Sequence, residues 1–210
     1  MAGAGACKGT VMKNLFVASA ATLLIGTCAL GVGAAQAEIL DNSYVSVLGG
    51  PTFAPGLNVN GAKRAMDTGY NVGARYGHYL DDWGLPNVAA EADILFSQSN
   101  YSNTTNGRLQ SSSYMGNLIY HLPTQSALSL YGGGGVGAVN TNIDNGVGNH
   151  GGSTVLGWQL IGGVEYRASE QASLFAEYRY QNAHDVNAGG LTQVGNTGNH
   201  LSMGVKWHLD

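Results

Sequence analysis

Charged residues and proline are scarce in this sequence. Lys, Arg, Asp and Glu make up 10% of the 210 residues, and proline occurs four times. Few Lys and Glu and as many as 33 glycines make the chain poor material for helices. The formal net charge of -4 gives no reason to expect a nucleic-acid partner. Together with 11 tyrosines, this composition predicts a β-rich domain.

Cysteine is missing after the first 37 residues, because Cys7 and Cys28 both lie within them. The same segment holds the longest apolar run, LFVASAATLLIGTCALGVG, which follows two lysines and leads to the tripeptide AQA. This arrangement predicts a secretory signal peptide over residues 1–37, cleaved before Glu38, with translation starting at Met1 or Met12. A retained membrane anchor is the alternative. An exported domain over 38–210 would then contain no disulfide.

Eight segments of residues 38–210 alternate apolar and polar side chains, as half-buried strands do. Most are about ten residues long, which is the length that a tilted strand needs to cross a bilayer. No run of apolar residues long enough for a transmembrane helix remains in this region. The predicted strands are 44–53, 68–80, 88–99, 112–122, 128–139, 153–167, 172–181 and 199–209.

The connections between these segments are alternately long and short. The short ones are DDWGLPN, PTQSA and ASEQ; the long ones are 54–67, 100–111, 140–152 and 182–198. Outer-membrane barrels have short periplasmic turns and longer external loops, whereas a secreted sandwich has no reason to keep this rule. The fold class predicted is therefore all-β: an eight-stranded antiparallel up-and-down transmembrane β-barrel with four external loops.

The stretch SLFAEYRYQN, residues 173–182, shows which face of a strand points inward. Leu174, Ala176 and Tyr178 share one face, whereas Glu177 and Arg179 share the other. Charges that face hydrocarbon cost about 2–4 kcal/mol each at the midplane of the bilayer. The charged face is therefore predicted to line the lumen, and the tyrosines to lie near the lipid headgroups.

The same alternation predicts a network of charges inside the barrel. Strands folded about Gly84 set Arg75 opposite Asp93, since each lies nine residues from that glycine. Each charge in a narrow interior needs a partner, so a structural role is preferred to a catalytic one. The predicted lumen network consists of four bases and four acids: Arg75, Arg167, Arg179, Lys206, Glu91, Asp93, Glu165 and Glu177.

Six stretches carry a resemblance to a known family: YVSVLGGPTF, GARYGHYL, LSLYGGGGVGAV, GWQLIGGVEYR, FAEYRYQN and HLSMGVKWHL. They resemble successive strands of the small eight-stranded outer-membrane barrels of Gram-negative bacteria, the porin-like surface antigens related to OmpA and OmpX. The resemblance implies contact with outer-membrane lipid and lipopolysaccharide. It also implies periplasmic chaperones and the barrel-assembly machinery as partners during biogenesis, and a host or surface ligand for the loops.

Two motifs suggest chemistry but lack its context. GGGGVG contains G-x-G-x-x-G, yet a loop-like segment follows where a nucleotide site needs a helix. The glycines are instead predicted to make room for larger side chains in the lumen. Some small barrels are lipid A deacylases with a His-x-Ser-Asn motif, but His184 here lacks the serine and Met203 replaces the asparagine after His200-x-Ser202. His200 is expected on the lipid-facing side at the rim.

The function expected from these observations is non-enzymatic. The protein is predicted to anchor four surface loops in the outer membrane, with a role in envelope integrity or as an adhesion protein and surface antigen. A small-solute porin is the alternative, although eight strands leave an interior that side chains can fill. A lipid A-modifying enzyme is less favoured. No catalytic, cofactor-binding or metal site and no cofactor are expected.

Overall fold

The computed structural model describes residues 42–53, 57–59, 62–64, 67–100, 108–144, 150–188 and 191–209. The predicted cleavage site before Glu38 lies outside these residues. Eight antiparallel strands form a closed barrel. They are β1 Ser43–Phe53, β2 Gly69–Tyr79, β3 Val88–Asn100, β4 Arg108–His121, β5 Leu128–Asp144, β6 His150–Arg167, β7 Ala172–Ala188 and β8 Leu191–Leu209. A separate hairpin pairs Leu57–Val59 with Ala62–Arg64.

The first and last strands close the barrel. β1 pairs antiparallel with β8, with Val47 opposite Val205, and each other strand pairs with its neighbour in sequence. This order confirms the predicted up-and-down topology. The turn between β2 and β3 contains a short 3-10 helix, Asp81–Trp83, and ends at Gly84 with a φ of 75°. Arg75 lies opposite Asp93, as predicted from their equal distance to Gly84.

One end of the barrel carries short connections, at residues 80–87, 122–127 and 168–171. The helix content of the described residues is small, and none of their helices is long and apolar enough to span a membrane. At the opposite end the strands extend further than predicted. β5 continues to Asp144, β7 continues to Ala188 and β8 begins at Leu191.

The predicted loops 140–152 and 182–198 are therefore wrong in part, because most of their residues belong to strands. The physical reason is that apolar alternation reports the depth of the hydrocarbon, not the end of backbone pairing. A β-ladder can continue into water as long as its hydrogen bonds are kept.

The outer surface is apolar on every strand of the barrel. Large apolar side chains lie exposed at alternate positions, including Val72 on β2, Tyr114 on β4, Leu160 on β6 and Met203 on β8. This confirms the predicted assignment of faces. Along β7, Tyr178 is exposed whereas Glu177 and Arg179 are buried in the lumen.

Inside the barrel, glycines face large side chains on neighbouring strands. A Cβ atom built on Gly77 would lie 2.2 Å from the ring of Tyr44, and one on Gly163 would lie 2.5 Å from the ring of Tyr131. In the GGGGVG run, a Cβ on Gly133 would lie 2.7 Å from the Cδ1 of Ile119. Since β5 runs through this motif without a helix following it, the glycines serve packing, as the sequence predicts.

Candidate functional site

The centre of the lumen holds a cluster of charges built around Glu177. Arg75 on β2 reaches across the lumen to Glu177 on β7, with Nη2 at 2.9 Å from Oε1 and 3.0 Å from Oε2. The Nη2 of Arg179 also donates to Glu177 Oε1, at 2.9 Å. Arg179 is 0% exposed and Glu177 1% exposed. One carboxylate thus receives two guanidinium groups in an interior with little access to water.

Asp93 on β3 completes this cluster from the opposite wall. Its Oδ2 lies 3.0 Å from Nη1 of Arg179 and 4.0 Å from Nη2 of Arg75. Two amides also donate to Oδ2, Asn117 at 3.0 Å and Gln159 at 3.4 Å. Because β3 and β7 lie on opposite sides of the closed sheet, the Asp93–Arg179 pair spans the width of the lumen.

Glu91 connects the cluster to an aromatic side chain. Its Oε2 lies 3.2 Å from Nε of Arg75, and its Oε1 accepts a hydrogen bond from the hydroxyl of Tyr44. In the same way, the hydroxyl of Tyr131 donates to Oε2 of Glu177 at 3.0 Å. Neutral donors therefore supplement the guanidinium groups, as the three carboxylates outnumber the two arginines here.

A second ion pair joins Lys206 on β8 to Glu165 on β6. The ammonium group of Lys206 also lies over the ring of Tyr44, 4.4 Å from its centroid. This geometry is a cation–π interaction in a site shielded from water. The pair and its aromatic neighbour thereby hold a lysine that is almost fully buried.

Apolar side chains pack beside the charges and occupy the space that they leave. Leu48, Leu95, Ile119, Tyr131, Ile161 and Phe175 form one buried cluster. The guanidinium carbon of Arg75 lies 5.7 Å from the centroid of the Phe175 ring. The apolar cluster is thus continuous with the ion cluster, so both contribute to the same core.

The structure brings together seven of the eight predicted network residues; Arg167 is the eighth. Arg167 is exposed, and it is the last residue of β6, next to the short connection 168–171. The alternation of side chains along β6 was the sole reason to predict Arg167 in the lumen. The strand ends at that point, so the side chain reaches solvent at the mouth of the barrel instead of the cluster.

His200 also differs from its expected position. It is buried inside the barrel, and its Nδ1 lies 2.9 Å from the hydroxyl of Thr52. It shares the inward face of β8 with Ser202, whose hydroxyl donates to Oδ1 of Asn71 at 2.8 Å. The expectation of a lipid-facing histidine was wrong, because positions 200 and 202 have the same parity.

Four residues of the cluster were missing from the sequence-based network, namely Tyr44, Asn117, Tyr131 and Gln159. They are neutral, so the pattern of charges did not predict them. Their inward parity was a usable signal, since each lies on the same face as a charge or glycine predicted to line the lumen. Gln159 also donates to Asn117 Oδ1 at 2.6 Å, which shows that the cluster is a connected network.

The arrangement has the properties of a structural core, in which charged, polar and apolar side chains pack together. Within the described residues, no group of three His, Cys, Asp or Glu residues could hold a metal ion. Thr52 and His200 are within hydrogen-bond distance, but both are buried. A nucleophile needs a base that is oriented by a third group and a route for substrate.

The family model of the outer membrane protein beta-barrel domain matches residues 20–208. The chain belongs to this family. As an outer-membrane barrel, the protein is located in the bacterial outer membrane, where membrane lipid surrounds its apolar surface. No curated protein sequence matches it.

Comparison with solved structures finds outer-membrane barrels at low sequence identity. Neisserial surface protein A is 18% identical, with 80% of this chain and 97% of that one covered and a TM-score of 0.60. The attachment invasion locus protein Ail of Yersinia pestis is 13% identical, with 80% and 98% covered and a TM-score of 0.48. The N-terminal barrel of Pseudomonas aeruginosa OprF is 17% identical, with 80% and 97% covered and a TM-score of 0.42. Neisserial surface protein A thus supports the fold of this outer-membrane barrel.

Proposed function

We propose that this outer-membrane barrel is a non-enzymatic anchor that presents four surface loops, with a role in envelope integrity or adhesion. The observation that carries the proposal is the ion cluster of Arg75, Arg179, Glu177 and Asp93, which spans the lumen from β2 and β3 to β7. Such a cluster stabilises a filled interior. It makes the barrel a rigid support and leaves binding to the loops.

The extended strands support the same proposal. β7 continues to Ala188 and β8 begins at Leu191, whereas the predicted membrane-spanning segments ended at residue 181 and began at residue 199. Paired strands that continue past those segments form a rigid support for external loops, which are accessible to a host surface or a lipopolysaccharide sugar.

The experiment replaces the connections at the end opposite the short turns while it keeps the barrel. Residues 54–67, 101–107, 145–149 and 189–190 are exchanged, singly and together, for Gly-Ser linkers of equal length. We expect unchanged heat-modifiable gel mobility and loss of cell adhesion or of surface-antibody binding. A matched linker in the short connection 124–126 serves as the control and should leave adhesion intact. Adhesion that survives all loop exchanges would contradict the anchor proposal.

A small-solute pore is the second candidate, and the polarity of the lumen is the observation that favours it. Seven charged side chains line an interior that a fully apolar filling would close more simply. Single-channel conductance of the purified barrel in planar bilayers tests this candidate. The anchor proposal expects no stable conductance from the parent protein and openings when Arg179 is replaced. Steady conductance of the parent would favour the pore.

Enzymatic modification of lipid A is the third candidate. The buried Thr52–His200 pair lies away from the lipid-facing surface, where an acyl chain of lipid A would have to react. Mass analysis of lipid A from cells with and without the protein is the direct test. Identical acylation patterns are expected. A lost acyl chain that depends on the protein would establish an enzyme.

A further inference from the structure

A cavity of about 700 Å³ opens at the end of the barrel that carries the short connections. Short connections mark the periplasmic end of outer-membrane barrels. The cavity is lined by side chains from several strands and turns, among them Tyr79, Asn87, His121, Ser129, Glu165 and Arg167. Its volume is within the range of pockets that bind small molecules.

Aromatic rings form the inner boundary of this cavity. The ring of Tyr79 lies 5.6 Å from that of His121 and 5.1 Å from that of Tyr44, measured between centroids. It is also stacked on His208, with an angle of 10° between the ring planes. The ring of His121 in turn lies 5.5 Å from that of Tyr131. These packed rings hold Tyr79 and His121 in place where they meet the cavity, so the platform is preorganised.

The boundary also carries a polar atom without a partner. The Nε2 atom of His121 is buried and has no hydrogen-bond partner among the described residues. A buried polar atom left in this condition costs free energy, and a ligand that offers a hydroxyl or an amide would remove that cost. His121 lines the cavity, so a rotation of its imidazole ring would present Nε2 to a ligand there.

The charges around the cavity are nearly balanced. Arg167 and Asp81 both line the cavity with opposite charges, and the charge of Glu165 is compensated by Lys206. A site for a strong anion would show an excess of Arg and Lys, and a site for a polycation would show an excess of carboxylates. Balanced charge, planar polar side chains and an aromatic platform suit a neutral molecule with many hydroxyl groups.

We propose that this cavity binds a neutral carbohydrate from the periplasmic side, with Tyr79 and His121 as platform and Asn87, Ser129 and Arg167 as polar contacts. Aromatic faces pack on the C–H faces of a sugar ring, and the surrounding side chains exchange hydrogen bonds with its hydroxyls. The ion cluster lies deeper in the lumen, so the cavity is a cup for binding instead of a passage. The inference does not depend on what the loops at the other end bind.

Calorimetric titration of the full barrel, folded in a detergent without a sugar headgroup, tests the proposal. The probes are tetra-N-acetylchitotetraose for a cell-wall type of glycan and maltotetraose for a plain glucan. Spermine, pyrophosphate and tetra-alanine represent a cation, an anion and a peptide. We expect saturable binding of at least one of the two saccharides and none of the other probes at equal concentration.

Two variants locate the binding site. His121→Leu removes the unpartnered nitrogen, and Tyr79→Leu removes the platform; each should weaken saccharide binding about five- to tenfold, the equivalent of one lost hydrogen bond or ring contact. Trp83→Phe is the matched control, because Trp83 is exposed on the connection that follows Tyr79 and does not line the cavity. Heat-modifiable mobility reports whether each variant is folded.

The inference is supported if the parent and Trp83→Phe bind a saccharide equally well and both cavity variants bind it more weakly. The saccharide that binds more tightly would then identify the type of glycan. Weak sites have dissociation constants of about 1 mM. If neither saccharide binds at a concentration about 20-fold above that value, the inference is overturned. Binding of spermine, pyrophosphate or tetra-alanine alone would overturn the assignment of the ligand class.

Discussion

Replacement of Arg179 by methionine tests how the ion cluster stabilises the barrel. The variant keeps most of the side-chain volume but removes the guanidinium group that contacts Glu177 at 2.9 Å and Asp93 at 3.0 Å. The two acids differ in what they retain. Glu177 keeps both hydrogen bonds from Arg75, whereas Asp93 keeps two amide donors and an arginine at 4.0 Å. Asp93 should therefore bear most of the loss.

The magnitude follows from this difference. Removal of one partner of a buried ion pair costs about 3–5 kcal/mol. Asn117 and Gln159 still donate to Asp93, so we expect the lower end, about 3 kcal/mol. Adding Asp93→Asn removes the carboxylate that has lost its partner and should restore about 1–3 kcal/mol of the free energy of unfolding. Adding Glu177→Gln should recover nothing, because it leaves Arg75 without its closest carboxylate.

Urea unfolding of the parent, the single variant and the two double variants measures these differences. With a slope of about 1–3 kcal/mol per molar urea, a loss of 3 kcal/mol lowers the midpoint by about 1–3 M. Better rescue by Glu177→Gln than by Asp93→Asn would refute the pairing. A single variant within about 0.5 kcal/mol of the parent would refute a dry lumen, since water would then screen the charges.

Three further predictions test packing, export and topology. Gly163→Ala should destabilise the barrel by about 1–3 kcal/mol in urea because the new Cβ would lie against Tyr131, whereas Gly162→Ala, with open space on the lipid side, should be tolerated. Equal effects would show that Tyr131 can move at no cost. N-terminal sequencing of the membrane-bound protein should begin at Glu38, and a start upstream of Ala35 would contradict the predicted signal peptide. Protease added to intact cells should cut within the long connections 101–107 or 145–149 and spare 122–127; cleavage at 122–127 would invert the topology.

The alternation of side chains in the sequence was sufficient to predict the strands, the faces and the closed barrel. Charges on one face and apolar residues on the other have one stable arrangement in a bilayer, with the charges inside. The position of Gly84 also predicted the register of β2 and β3, because the connection between these strands is centred on that glycine.

The ends of the strands differ from what side-chain polarity predicts. Arg167 has the inward parity of β6 but is exposed at its last position, and β7 and β8 continue where polarity predicted a loop. Polarity patterns describe what surrounds a side chain. They do not describe where backbone hydrogen bonding stops, because a paired strand is stable both in lipid and in water.

The sequence by itself determined which charges enter the lumen, but only the tertiary structure decided which of them meet. Arg75 contacts Glu177, and Arg179 contacts Asp93, across strands that are far apart in sequence. These contacts depend on the closure of β1 on β8 and on the tilt of all eight strands, which set the height of each side chain in the barrel. Neutral donors such as Tyr131 and Gln159 belong to the cluster for the same reason. A buried carboxylate needs hydrogen bonds, and the closed sheet places these side chains within hydrogen-bond distance.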